Sequence, residues 1–186
     1  MYNSEFISNI ENVSHNFINQ NNIFLFDEFT TEKCSYMLSD LVSIINSTQY
    51  NEINVYINSP GGEINTLLAF LSLFKIAQNS NMNINTIVMG LASSCASLLA
   101  ICGNKRYMYN KALHFVHFGS ITTEVSKSSE IEKSKFILKR HEDIIKSTYL
   151  ENTKISNDKL NKLIEDEYGY LNSKQCKTLG FCDIII

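Results

Sequence analysis

The sequence predicts an α/β fold built on a parallel sheet, and three observations carry that expectation. Short apolar runs at 23–26, 53–57 and 84–89 are each followed by a stretch whose apolar residues recur at helical spacing. Asparagine-rich turns separate these units, at Asn19-Gln20-Asn21-Asn22 and Asn79-Ser80-Asn81-Met82-Asn83. Strands that alternate with helices lie parallel, joined by right-handed crossovers.

Ile23-Phe24-Leu25-Phe26 reads as a buried strand, and Thr30 or Thr31 as the cap of a helix at about 32–47. Cys34, Met37, Leu38, Leu41, Ile44 and Ile45 fall on one side of that helix. Strand 53–57 enters the turn Ser59-Pro60-Gly61-Gly62, which holds the only proline of the chain. A helix at about 63–77 comes next, with Ile64, Leu67, Leu68, Leu71 and Phe74 on one face. Strand 84–89 turns at Gly90-Leu91-Ala92-Ser93-Ser94-Cys95-Ala96-Ser97 into a helix ending near Ile101, and Leu113 to His117 reads as a further strand. A long, charged, amphipathic helix spans about 130–150, with Ile137, Leu138, Ile144, Ile145 and Tyr149 as its apolar stripe. Such a stripe packs either on a neighbouring subunit or on its own domain. Helices at about 157–165 and 173–178 close the chain.

Composition narrows the function. The 186 residues suit one domain over 1–186; the segment 1–15 carries no assignment. A net charge of −3 without any Lys/Arg run argues against nucleic acid and anionic membranes as partners. Residues 84–102 are interrupted by Asn85, Thr86, Gly90, Ser93, Ser94 and Ser97, too polar for a membrane span. The start, Met1 to Phe6, lacks the basic and apolar stretches of a secretory signal. Five cysteines with no C-x-x-C pair predict reduced thiols in the cytoplasm.

Two segments suggest chemistry. A Gly-Gly after a strand exposes backbone N–H groups with no Cβ in the way. A serine at a strand-to-helix turn presents its hydroxyl at a helix N-terminus, which favours developing negative charge. Ser94 is the leading nucleophile, with Ser93 and Ser97 as competitors, and any of the three serves equally well as a small packing residue. His117 ends its strand and suits a general base. His114 lies three residues earlier, on the opposite face, so only one of the two meets the serine. His15 and His141 carry no argument. Glu165, Asp166 and Glu167 are the acids available to orient an imidazole, although such charge runs are ordinarily solvated helix ends.

These residues, in this order, resemble the proteolytic subunit family of the Clp ATP-dependent protease, a family of serine peptidases. The likeness is carried by Ile57 to Gly62, by the ungapped block from Gly90 to Gly103, by Arg106 to His117, and by Tyr170 to Asp183. It implies a crotonase-like fold in which the 130–150 helix is the projecting handle that interlocks rings. It places the nucleophile at Ser94, the base at His117, and the oxyanion donors on the N–H groups of Gly62 and Cys95. It implies no cofactor and no metal. The expected partners are further copies of the chain in a heptameric ring, either single or stacked as a tetradecamer, a hexameric AAA+ unfoldase, and the unfolded polypeptides that it feeds in.

The sequence departs from the family pattern at four places. Cys95 and Ala96 replace a methionine and a glycine; Asn110 replaces a proline; Phe118-Gly119 replaces Gln-Pro after the histidine. The fourth departure is the acid. Counting back from Tyr170 puts Tyr168 at the aspartate position, whereas counting forward from Ser156 and Leu160 puts Glu167 there, with Asp166 as the alternative. One extra residue at Gly169 reconciles the counts. The arginine that helps to join the rings has no counterpart. Because Ser94 and His117 are both intact, an active endopeptidase is expected. A catalytically silent ring subunit and a phage-type maturation protease of the same fold are the alternatives; a signal-peptide peptidase and an acyl-CoA enzyme fit less well.

Overall fold

The computed structural model describes residues 21–117, 128–165 and 169–186. Among the described residues seven strands form one sheet: β1 (Asn22–Leu25), β2 (Glu52–Ser59), β3 (Asn83–Ser93), β4 (Lys105–Met108), β5 (Leu113–Phe115), β6 (Tyr170–Asn172) and β7 (Ile184–Ile185). The order is β1-β2-β3-β4-β7, and β5 joins the far end of β3 with β6 beyond it. All neighbours are parallel except β5 and β6. The helices are α1 (Thr31–Asn46), α2 (Ile64–Asn79), α3 (Cys95–Ile101), α4 (Ser128–Asn152), α5 (Asn157–Glu165) and α6 (Ser173–Leu179).

Local chemistry sets the boundaries. Thr30 caps α1 by accepting from the Lys33 N–H at 3.2 Å, which satisfies one of the orphan donors of the first turn. Asn172 and Gln175 form a reciprocal capping box on α6, which ends at Gly180 in the left-handed region. On β2 the alternate residues Ile53, Val55 and Ile57 are buried against Leu41, Leu67, Phe70 and Phe74 from the helices. Burying each such side chain contributes roughly 1.5–3 kcal/mol, which anchors one face of the sheet. The other face carries Asn22, Asn54 and Asn85 in register, their amides hydrogen-bonded across three strands at 2.9–3.1 Å.

Two features differ from expectation. β3 runs to Ser93 rather than stopping near 89, because it exchanges partners: its first half pairs with β2 and β4, and Leu91 to Ser93 pair with β5. Between Ile57/Val88 and Ser59/Ala92 the register with β2 shifts, and the Asn58 side chain accepts from the Leu91 N–H at 3.0 Å across that irregularity. Bulges of this kind bend a strand and re-aim the residues beyond them. The stripe of α4 also divides. Of its residues Ile145 and Tyr149 are buried in the core, while Ile137 is exposed; outside the stripe Ile131 and Phe136 are exposed too, Phe136 at 74%. Arg106 fastens the end of α4 to the segment just before β7, with Nε and Nη2 on the Asp183 carboxylate at 2.9 and 2.6 Å and Nη1 on the carbonyls of Asn152 and Gly180. None of the described helices is long and apolar enough to cross a membrane.

Candidate active site

The end of β3 delivers Ser94 into an unusual backbone conformation. Its φ of 54° and ψ of −123° lie where a residue with a Cβ is strained, a cost of about 1–3 kcal/mol that surrounding contacts must offset. Two backbone bonds hold it: the Ser94 N–H donates to the Phe115 carbonyl of β5 at 3.0 Å, and its carbonyl accepts from Leu98 in α3 at 3.2 Å. The turn lifts the hydroxyl to the start of α3. Ser94 is half-buried, whereas Ser93 and Ser97 are buried at 7% and 0% exposure. Of the three serines, Ser94 alone is open to an incoming group.

The glycine turn packs directly over it. At Gly61 (φ 88°), a Cβ would stand 2.5 Å from the Ser93 carbonyl oxygen, 2.7 Å from the Ser94 Cβ and 2.9 Å from the Cys95 nitrogen. At Gly62 (φ 144°) it would meet the Phe29 carbonyl oxygen at 2.5 Å. Both positions therefore exclude a side chain on two counts, conformation and space. Ser59 holds the turn by accepting from the Gly61 N–H at 3.1 Å.

The direction of the free amides is set by the pairing. Gly62 bridges Phe29 in parallel, and the bonds of that bridge run from Phe29 N–H to Gly61 O and from Glu63 N–H to Phe29 O, both 2.7 Å. In a parallel bridge the middle residue's own N–H points the other way, and Gly62 is exposed. Cys95 opens α3, so its N–H belongs to the first turn, which has no intrahelical acceptor. Its thiol donates to the Gly62 carbonyl at 3.1 Å, tying the two residues together. Burial is the main cause pushing the Cys95 thiol above its ordinary value, which keeps it a neutral donor and not a thiolate competing with Ser94.

His114 lies in β5 and His117 two residues past its end, and the alternation of the extended chain separates them. His117, half-buried, lies just past the strand end and stacks on Phe115 with ring centroids 4.8 Å apart. Since Ser93 pairs with Phe115, Ser94, the next residue on one strand, and His117, two residues on along the other, leave the sheet at the same end. His114 faces inward and is fully buried, with Nδ1 2.9 Å from Ser97 Oγ. Glu165 is exposed at the end of α5. Asp166, Glu167 and Tyr168, which hold the expected acid, lie outside the described residues, as do Phe118 and Gly119. Among the described residues no cluster of His, Cys, Asp and Glu is placed to hold a metal ion. All five cysteines are free thiols. A cavity of about 410 Å3 on the open face of the sheet, lined by Tyr56, Ile87 and Tyr107 among others, includes none of Ser94, His117, Gly62 or Cys95.

Ser94 is thus a strained serine between a glycine turn and a helix start, at the end of the sheet where the chain also passes through His117. The model of one family, described as Clp protease, matches residues 6–186. The chain belongs to the Clp protease family. Relatives in the family are distant. An "ATP-dependent Clp protease proteolytic subunit" from Mesostigma viride is 26% identical over 98% of this chain and 78% of its own length. One of the same description from Dehalococcoides mccartyi is 27% identical over 88% of this chain and 80% of its own. One from Cyanophora paradoxa reaches 32%, over 53% of this chain and 50% of its own. Membership supports a peptidase hydrolase.

The sequence did not disclose two contacts in this region. One is the Cys95 thiol on the Gly62 carbonyl. The other is the buried group Ser97, His114 and Tyr149. The spacing signalled the second, since Ser94 and Ser97 are one helical turn apart and His114 and His117 face oppositely. Nothing in the sequence pointed to Tyr149, 52 residues from Ser97.

Proposed function

We propose that the chain is the proteolytic subunit of an ATP-dependent Clp-type serine endopeptidase. The carrying observation is Ser94 itself: strained, half-buried, at the start of α3, and faced by a glycine turn that no side chain fits. Ser94 Oγ attacks the scissile carbonyl as His117 takes its proton. The Gly62 and Cys95 N–H groups donate to the oxyanion, an arrangement worth about 2.7–4 kcal/mol per donor in comparable sites. His117 then gives the proton to the leaving amine, and water releases the acyl group by the same route in reverse.

A carboxylate at Glu167 or Asp166 orients His117. Supporting this, the Gly169 carbonyl accepts from the Val116 N–H at 3.0 Å, so Gly169 itself lies beside the residue preceding His117. Gly169 suits that position because a Cβ there would stand 2.4 Å from the Val116 carbonyl oxygen.

The single domain over 1–186 takes a crotonase-like fold. Exposed Ile131, Phe136 and Ile137 on α4 fit the handle of a heptameric ring, stacked or single, inside which unfolded polypeptide from an AAA+ unfoldase is cut in the cytoplasm. The test is hydrolysis of a fluorogenic peptide by the purified, assembled chain. Ser94→Ala should lower the rate by about 10^3-fold or more, since nucleophile and base act as a unit, and Ser93→Ala should retain most of it. An assembled wild-type chain with no hydrolysis above the Ser94→Ala background would identify a silent ring subunit instead.

A further inference from the structure

Directly beneath Ser94 and His117 lies a second group of polar side chains that the proposed reaction does not use. The Tyr149 hydroxyl of α4 donates to Ser97 Oγ at 3.0 Å, and Ser97 Oγ lies 2.9 Å from His114 Nδ1. All three residues have 0% exposure. Phe181 packs against both rings, edge-on to His114 and tilted to Tyr149, each with centroids 5.5 Å apart. A hydroxyl that accepts from Tyr149 has its own proton left for Nδ1, which makes His114 the Nε2–H tautomer. His114 Nε2 is buried and has no hydrogen-bond partner among the described residues.

Burying three polar groups and leaving one nitrogen unpaired costs stability that an apolar trio of similar size would not. The arrangement joins three elements at chosen points. Ser97 is one turn below Ser94 on α3, His114 is three residues before His117 on β5, and Tyr149 sits on the buried half of α4. Apart from this group, the hydrogen bond that joins Ser94 to β5 is its N–H to the Phe115 carbonyl.

We infer that Ser97, His114 and Tyr149 are positioning residues that fix the spacing of Ser94 from His117 by bonding α3 to β5 and bracing both on α4. Hydrogen bonds are directional, so they set the slide and rotation of α3 along β5 more narrowly than apolar packing does. A displacement of 1 Å between reacting groups is enough to cost about 10^2-fold in rate. The inference rests on Ser94 and His117 being nucleophile and base.

The test separates rate from stability. The full chain, its Tyr149→Phe and Ser97→Ala variants and the triple variant Ser97→Ala/His114→Leu/Tyr149→Phe are labelled with a fluorophosphonate, and each is melted under the same conditions. Ser97→Ala leaves Tyr149 and Nδ1 without partners, so it should melt lower and react about tenfold more slowly. Tyr149→Phe removes one bond only and should slow labelling about threefold while folding normally. The triple variant removes every polar group together, so its melting point should recover while its labelling stays about tenfold slow. Labelling that recovers along with the melting point, or Tyr149→Phe labelling at the wild-type rate, would overturn the inference. Wild-type protein that folds and assembles but takes no label at Ser94 would instead refute the proposed function, and the positioning role with it.

Discussion

Two serine–histidine neighbourhoods lie on the same two elements, three residues apart, and only one is open. Ser94 and His117 are half-buried where β3 and β5 leave the sheet, beneath a glycine turn. Ser97 and His114 are one turn lower, fully enclosed and already hydrogen-bonded to each other and to Tyr149. By residue type alone the inner pair is the better-formed dyad, since its 2.9 Å contact is complete. It has no access for substrate. The comparison teaches that a nucleophile is defined by what its surroundings leave available, not by the nearness of a histidine.

The largest effect that would break the comparison comes from the glycine turn, which belongs to the outer neighbourhood only. Gly61→Ala puts a methyl 2.9 Å from the Cys95 nitrogen and 2.7 Å from the Ser94 Cβ at a φ of 88°. Losing one oxyanion donor costs about 10^2–10^3-fold in turnover, and the backbone strain adds about 1–3 kcal/mol of destabilisation. Peptide hydrolysis and thermal melting of Gly61→Ala measure both. A variant with wild-type turnover would remove the turn from the site.

The inner neighbourhood should show itself in acid. Burial holds the His114 imidazole neutral down to about pH 3, against an ordinary value of 6.5. Below 6.5 the unfolded chain takes up a proton that the folded chain refuses, so this group's stabilisation is complete above 6.5. It is lost progressively as pH falls from there towards 3. The slope is about 1.4 kcal/mol per pH unit for one proton, or roughly 2 kcal/mol between pH 6.5 and 5. Denaturant melts across that range should show the slope in the wild type and one proton less of it in His114→Leu. Equal slopes would mean that His114 is not shielded as the structure has it.

The sequence made the outer neighbourhood legible because its determinants are local. The Gly-Gly turn, the serine turn and the strand read as ending at His117 are short segments whose backbone needs are written in residue type, and the helix cap was narrowed to Thr30 or Thr31 in the same way, Thr30 being the one that caps. The inner one depends on tertiary contact. Tyr149 read as part of an apolar stripe, and its hydroxyl acquires meaning only when α4 lies on α3. The stripe itself was read as uniform, whereas Arg106, by fastening the end of α4 through the Asn152 carbonyl, goes with burial of only the half nearest that anchor. The strand β4 escaped notice because Lys105 to Met108 is short and half polar, and its pairing with β3 and β7 comes from register rather than from hydrophobic alternation.

The most direct measurement is peptide mapping of the adduct formed when the assembled chain reacts with a fluorophosphonate. The probe needs an accessible, activated hydroxyl facing an oxyanion pocket, which is what separates the two neighbourhoods. The account predicts a single adduct on Ser94, absent from His117→Ala as well as from Ser94→Ala, and none on Ser93 or Ser97. An adduct on Ser97 or Ser93, or label on Ser94 that survives the loss of His117 undiminished, would contradict it.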